Sequence, residues 1–583
     1  MKLLRAWRYL LLSIAALAAL AALAACGGDD DEGGGTATPG GTATPAAGTR
    51  IEGGELTVAT VEGDKLDPHQ SSFATEISLE RMLWRAAYTL DGKDVPQPAM
   101  AAALPVISAD GLTYTIKLKS GLKWSDGNDL LAEDFVMGIL HTCNPVIAGE
   151  YQYVLSNIVG CDAHFANEAG FDAALEAAIG VKEIDDLTYQ ITLANPQPTF
   201  TMILTMWPTF PVPVHLFPNS SDEWPAPGPA YPAALAYNGP YIATEYEPGD
   251  HATLAPNPNW KAEYSPLNAA PTLDKLTLRF IDDMAVADRA YEKGEVDFAN
   301  VNLTELKALR SKFEPTGEYL RVLKPTTTGM EMNLERPPLD NLDVRLALVR
   351  ADDHELENEV CQQGGQVPST SWLPEVVKGG AAPDAFAAQI GHDPVKAREH
   401  LTKAGYKNAD NPTGKDFPVL TILVRDTPSA KCSAEWHQEQ YRKELGIETK
   451  IEIVDGPTRS ARFKAEDFDL FPGGWQQDYP DPENWIIGLF DTGGGNNHYN
   501  CSDPDIDAKV KAAQFNTNET ERIKLYSEIN ELIVTRVCGI GPFLHVADHY
   551  LIKPYVVGMG ENSNGQDGVI AGDWIAETWG RSE

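Results

Sequence analysis

Bond-making chemistry in a protein needs nucleophiles, bases or metal ligands at particular spacings, and this sequence offers few of them. His354-Glu355-Leu356-Glu357-Asn358 has the first half of a zinc-protease helix, but the second histidine is missing, so a polar helix face is expected there. No GxSxG, no HExxH, no GxxxxGK followed by Ser or Thr and no EF-hand pattern occurs, so the hydrolase, zincin, nucleotide and calcium motifs are absent. The twelve histidines are otherwise scattered. Asp29-Asp30-Asp31-Glu32 sits beside glycines and reads as a solvated spacer. Gly558-Met559-Gly560 is a lone Gly-x-Gly of the kind that marks a turn. The expectation is a protein that is not an enzyme and carries no cofactor and no metal.

The chemistry the sequence does carry is at its start. Lys2, Arg5 and Arg8 precede an uncharged Leu- and Ala-rich run from Tyr9 to Ala25, the layout of a secretory signal peptide. Leu23-Ala24-Ala25-Cys26 resembles the bacterial lipobox, which implies cleavage after residue 25 and a diacylglycerol on the Cys26 thiol. The alternative, an uncleaved membrane anchor, sits at the short limit for spanning ~30 Å of hydrocarbon. Two or more acyl chains anchor stably. Residues 26–53 then turn to Gly, Asp, Thr, Ala and Pro, with Gly35-Thr36-Ala37-Thr38-Pro39 echoed by Gly41-Thr42-Ala43-Thr44-Pro45, a composition that buries no core and serves as a tether. Six further cysteines in an exported chain suggest up to three disulfides. Pairing neighbours in sequence gives Cys143 with Cys161, Cys501 with Cys538, and Cys361 with Cys432, among several possible connectivities. Without a CxxC pair, a cysteine-based zinc site is not expected.

The elements that follow must build the rest. The chain has 583 residues, 43% hydrophobic and 22% charged, enough apolar surface for a large core and for two to four domains at roughly 150 residues each. With 46 basic against 84 acidic residues the net charge is −38, which disfavours nucleic acid and anionic lipid as partners. No later stretch is apolar for the ~18 residues a membrane helix needs. Leu112, Tyr114, Ile116 and Leu118 alternate with polar residues, as do Leu187, Tyr189, Ile191 and Leu193, so 85–213 reads as an α+β module. Helices are expected from Met284 to Lys293, ended by Gly294, and from Asp393-Pro394 through Ala404. Val419–Val424, a helix over Ser429–Glu444, and Thr449–Val454 spell a βαβ unit with parallel strands. The final helix, from about Glu519 to Val534, presents Ile523, Leu525, Ile529, Leu532 and Ile533.

Several segments, in order over some 500 residues, resemble the family 5 extracellular solute-binding proteins of bacterial ABC importers. They include Leu66-Asp67-Pro68-His69, Trp124-Ser125-Asp126-Gly127 with Ala132-Glu133-Asp134-Phe135-Val136, Asn238-Gly239-Pro240-Tyr241, Arg345-Leu346-Ala347-Leu348 and Gly474-Trp475-Gln476-Gln477-Asp478-Tyr479-Pro480-Asp481-Pro482. The resemblance implies an α/β class II periplasmic-binding-protein fold: two α/β lobes, a hinge and an extra α+β domain. Lobe I would comprise 54–84, 214–325 and 546–583, the extra domain 85–213 and lobe II 326–545. It implies a lipid-anchored extracytoplasmic receptor, monomeric, that closes around an oligopeptide and delivers it to ABC permease subunits. A nickel chelate, an oligosaccharide or a sensor role are the alternatives. By the same resemblance Asp478 pairs with the ligand's free amino terminus, and Gly474, Trp475, Gln476, Tyr479 and Tyr151 line the cleft. Alternatively Trp475 is core beneath the site and Asp478 an ordinary turn residue; Asp481, before Pro482, suits a turn better than an anchor. The disulfide of the enterobacterial oligopeptide receptors is absent, since its two positions are Thr326 and Gln476 here.

Overall fold

The computed structural model describes residues 49–63, 65–91, 94–559 and 575–582. The leader, Cys26, the tether up to residue 48 and Gly560 lie outside them, while the tether's last residues are held to the C-terminal segment, Ile51 N donating to Arg581 O at 2.9 Å. Among the described residues no helix is long and apolar enough to cross a membrane.

Period-two segments become strands because alternation puts one face toward a core and the other outward. In chain order these are β1 (Glu55–Thr60), β2 (Tyr241–Glu247), β3 (His251–Pro256), β4 (Lys275–Phe280), β5 (Phe298–Asn300), β6 (Tyr319–Met332), β7 (Leu420–Arg425), β8 (Thr449–Val454), β9 (Leu470–Gln476) and β10 (Ile540–Ile552). With the short strand Val367–Ser369 they form one 11-stranded sheet of order β8-β7-β9-β6-β10-β5-β1-β4-β3-β2. β7 and β8 are parallel and are joined by the helix Pro428–Gln440 and its continuation to Leu445, the predicted βαβ unit. Thr326 and Gln476 face each other across β6 and β9.

Two apolar cores hang on this sheet. The first gathers Leu56, Val58, Trp84, Trp207, Tyr241 and Leu276; the second gathers Met330, Val344, Trp372, Ile422, Leu470 and Trp485. β6 and β10 run through both: Leu320, Val322, Tyr550 and Ile552 pack in the first, Met330, Met332, Ile540 and Phe543 in the second. Their pairing slips between Leu323 and Thr327, around Pro325, which has no N–H for the ladder. Rotation of one core against the other would break fewest hydrogen bonds there. The α+β module carries a four-stranded antiparallel sheet ordered Val106–Ile107, Thr113–Lys117, Thr188–Thr192, Val181–Asp185, and its apolar face, through Tyr114, Ile116 and Ile191, is continuous with the first core.

Several motifs that carried the resemblance hold the fold together. Asp134 is buried at the start of the helix Ala132–Thr142 and accepts from Trp124 Nε1 (3.2 Å), Leu131 N (2.8 Å) and Val214 N (3.0 Å). Asn238 brackets the Arg85 backbone with two hydrogen bonds of 3.0 and 2.9 Å. Arg345 is buried and donates to the carbonyls of Val537 (2.8 Å), Leu339 (2.9 Å) and Arg536 (3.0 Å), tying the end of the last helix to the loop before its own. The cysteines bond as 143–161, 361–432 and 501–538.

One expectation holds in altered form and another needs correction. The polar helix face at His354, Glu357 and Asn358 is present but turns inward: all three are buried, and Glu357 accepts from Ser433 Oγ at 2.6 Å. On the last helix, Glu519–Thr535, the buried stripe is Arg522, Tyr526, Ile529, Asn530 and Ile533, while Ile523, Leu525 and Leu532 are only half-buried. Two polar side chains on the stripe rotate it, since Arg522 meets Asp481 and Asn530 Oδ1 accepts from Leu373 N.

Candidate functional site

At the end of β9 the chain turns through residues 477–481 into the short helix Pro482–Trp485. Gly474 runs so close to β6 that a Cβ would stand 2.1 Å from the Thr327 carbonyl oxygen, which accounts for the glycine by sheet packing alone. Gln476 is half-buried opposite Thr326. Trp475 is half-buried against the second core, and its indole N–H donates to Asn484 Oδ1 at 3.1 Å. Asn484 is the hub of the turn: the same oxygen accepts from the Asp478 backbone N–H (2.8 Å), and its Nδ2 donates to Asp478 Oδ2 (2.9 Å).

The other carboxylate oxygen of Asp478 belongs to the opposite core. It accepts from the Tyr151 hydroxyl at 2.9 Å. Tyr151 lies on the short helix Glu150–Leu155, its ring against Trp207 (centroids 4.6 Å apart) and Tyr153 (5.5 Å). Tyr479 crosses the other way, its ring packed in the first core while its chain neighbours Phe471 and Trp485 pack in the second. The three predicted cleft residues Tyr151, Asp478 and Tyr479 therefore meet at the seam between the cores, with Trp475 one hydrogen-bond partner away.

The electrostatics of this seam are lopsided. Burial pushes the Asp478 carboxyl up to about 6, against the hydrogen bonds from Asn484 and Tyr151 that favour its charged form. The buried Tyr153 hydroxyl faces the same carboxylate and favours its charged form too. Asp481 is committed elsewhere: Arg522 clamps it through Nη1 (2.5 Å) and Nη2 (2.7 Å), and it caps the Glu483 N–H at 3.0 Å. Glu483 is pushed up to about 7 by burial and by the Asp481 charge, and accepts from Thr199 Oγ1 (3.1 Å) and Gln197 Nε2 (3.2 Å) across the seam. Arg522 is the close ion-pair partner of Asp481 and, at 4.0 Å, of Glu483, whereas the guanidinium charge that acts on Asp478 is that of Arg81. A cavity of about 490 Å³ opens beside them, lined by Tyr153, Asn157, Gln197, Tyr479, Glu483 and Asn484. That is within the size range of small-ligand pockets. A second, of about 540 Å³, lies between Met284 and Asn302 on one side and Thr427–Ser429 on the other.

Sequence reasoning missed Asn484, Glu483, Tyr153 and Arg522. Asn484 and Glu483 lie just beyond the recognised segment, and Arg522 is 41 residues from Asp481, visible only as a charge on a helix.

Residues 95–497 match the bacterial extracellular solute-binding proteins, family 5 middle region. The chain belongs to that family. Among its relatives, the probable deoxycholate-binding periplasmic protein YgiS of Escherichia coli is 28% identical over 501 residues, covering 85% of this chain and 88% of that protein. The periplasmic oligopeptide-binding protein OppA of Escherichia coli is 25% identical over 506 residues, with the same coverage. Among solved structures, Haemophilus influenzae OppA in complex with RPPGFSPFR overlays with a TM-score of 0.75 at 22% identity, over 92% of this chain and all of that one. The fold is therefore the class II periplasmic-binding-protein fold, and this family 5 protein is an extracytoplasmic solute receptor rather than an enzyme. β6 and β10 join its two cores, and the Tyr151–Asp478 contact spans them.

Proposed function

We propose that this protein is an oligopeptide receptor of an ABC importer, and that Asp478 holds the α-ammonium group of the bound peptide. One observation carries the reading: Asp478 is a buried carboxylate at the interlobe seam that accepts from the neutral side chains of Tyr151 and Asn484, with Arg81 as a nearby positive charge. A buried carboxylate hydrogen-bonded by neutral groups can take a further cation. Every unblocked peptide supplies one at its amino terminus whatever its sequence, and main-chain pairing along the cleft would read the rest.

The excess of carboxyl groups over guanidinium beside the cavity opposes an anionic ligand. This bears on the second reading, suggested by YgiS: deoxycholate is a steroid carboxylate and would bring a further negative charge to Asp478 and Glu483. The peptide reading also takes Gly474, Trp475, Gln476 and Tyr479 as cleft wall, the lobe boundaries at 325/326 and 545/546, and Cys26 as the lipidated N-terminus that holds the receptor at the membrane. Delivery then needs no bond to be made, only reopening of the lobes against the permease subunits.

Native mass spectrometry of the purified protein tests the ligand class. A set of retained peptide masses is the expected result. A single retained steroid mass, or saturation by deoxycholate with no peptide binding, would replace the peptide reading.

A further inference from the structure

Asp67, His69 and His141 form a second polar cluster, away from the cleft, that the receptor function does not use. Asp67 and His69 stand in the turn after β1; His141 is in the last turn of the helix Ala132–Thr142. All three are buried, none more than 5% exposed. The imidazole rings meet edge-on with centroids 4.8 Å apart.

The proton accounting at this cluster is unusual. The Phe210 carbonyl oxygen lies 3.1 Å from His69 Nε2, and the Ser220 carbonyl oxygen 2.8 Å from His141 Nδ1. A backbone carbonyl can only accept, so each of those nitrogens carries a proton. In the neutral rings this leaves His69 Nδ1 and His141 Nε2 as bare lone pairs. Both face the same carboxylate: His69 Nδ1 is 3.2 Å from Asp67 Oδ1, and His141 Nε2 is 3.5 Å from Asp67 Oδ2. Asp67 Oδ2 and His141 Nε2 have no hydrogen-bond partner. Three acceptors thus converge, their ligand atoms all within 4.8 Å of one another.

Such an arrangement is repulsive unless a cation sits among the three. We infer that Asp67, His69 and His141 bind a zinc-class divalent cation. Histidines that ligate metal donate their other N–H to a carbonyl or carboxylate, and both rings do so here. Ligand atoms around a tetrahedral zinc stand roughly 3.3 Å apart, given bonds of about 2.0–2.1 Å; each ring stands near that distance from one of the two Asp67 oxygens, and the widest ligand pair, up to 4.8 Å apart, would draw in as the ion binds. The nitrogen and oxygen donors suit Zn²⁺, with Co²⁺ as its spectroscopic substitute. A proton shared between Asp67 and one ring is the competing occupant, and metal analysis separates the two.

The three side chains would leave the fourth tetrahedral position to a water, and because all three are buried the ion would load as the chain folds. It would tie the turn after β1 to the α+β module. That turn is packed so tightly that a Cβ on Gly149 would lie 1.8 Å from the His69 carbonyl oxygen, and Trp207 Nε1 donates to Ser71 O at 3.0 Å. Gly149 precedes the helix that bears Tyr151, and Trp207 is the ring Tyr151 rests on. The metal would therefore hold in place the surface that presents Tyr151.

The test uses the whole secreted protein, purified without a histidine tag or chelator. Elemental analysis should find stoichiometric zinc, lost in Asp67→Asn and His141→Asn. Protein unfolded with chelator and refolded with Zn²⁺ should melt several degrees higher than protein refolded without it, and refolding with Co²⁺ should give the visible absorption of a tetrahedral site. The wild-type arms decide the matter if the variants misfold. Trace metal only, with a melting temperature indifferent to Zn²⁺ during refolding, would overturn the inference, as would full zinc content in both variants.

Discussion

Replacing Asp478 by asparagine separates a ligand anchor from a structural turn residue, because the two make opposite demands on stability. Burial lifts this carboxyl from an ordinary value of 3.8 to about 6. At about 1.4 kcal/mol for each tenfold change in the proton equilibrium, the ionised side chain costs the folded state about 3 kcal/mol. The sign follows from linkage: the folded state holds the proton more tightly than the unfolded one. Asp478 therefore costs nothing below about pH 4, stability falls as pH rises through about 6, and it stays about 3 kcal/mol lower above that. Asparagine cannot ionise and still fits its neighbours. Its amide oxygen can accept from Asn484 Nδ2 and its amide nitrogen can donate to the Tyr151 oxygen, which replaces both contacts of the carboxylate. The ligand-free Asp478→Asn protein should thus be more stable than wild type by up to about 3 kcal/mol near pH 7.5, with the advantage fading by about pH 4. Its affinity for free peptides should fall by roughly 2–5 kcal/mol. Urea denaturation of ligand-stripped proteins at three pH values, with peptide titration, measures both. A variant equally destabilised at every pH would show that the carboxylate serves the turn, and the reasoning would fail.

Three further expectations follow from the same geometry and the sequence. Arg522→Ala leaves Asp481 buried and unpaired, so it should destabilise by about 3–5 kcal/mol, with Arg522→Ala/Asp481→Asn recovering part of the loss in thermal melts. Removing Cys361–Cys432, which closes 71 residues, should cost about 4 kcal/mol, against about 3 for Cys143–Cys161, which closes 18, both read by denaturation of the paired Cys→Ser variants. Cys26→Ser should release the protein from the membrane fraction; a normally processed variant that still sediments with membranes would contradict lipidation.

The fold was legible where one periodicity ruled a segment. β8 begins and ends at Thr449 and Val454 as its alternation dictates, and the helix Met284–Lys293 stops at Gly294, whose φ of 74° suits a residue without a Cβ. The last helix misled because its buried stripe contains Arg522 and Asn530, and an apolar count steers past polar groups that are satisfied across the core. At the candidate site, Asp478, Tyr479 and Tyr151 were singled out only through the resemblance of their sequence neighbourhood. Asn484 escaped because its importance lies in three hydrogen bonds made by one small amide, which leave no pattern in the chain. The Asp67, His69 and His141 cluster escaped because its members come from segments 72 residues apart, brought together only when the α+β module packs on the first core.

The central claim, that Asp478 recognises a peptide's amino terminus, is tested most directly by calorimetry. A tripeptide and its N-acetylated form are titrated into wild type and into Asp478→Asn. Wild type should bind the free form more tightly by roughly 2–5 kcal/mol, and the variant should hardly distinguish the two. Equal affinity of wild type for both forms would contradict the account.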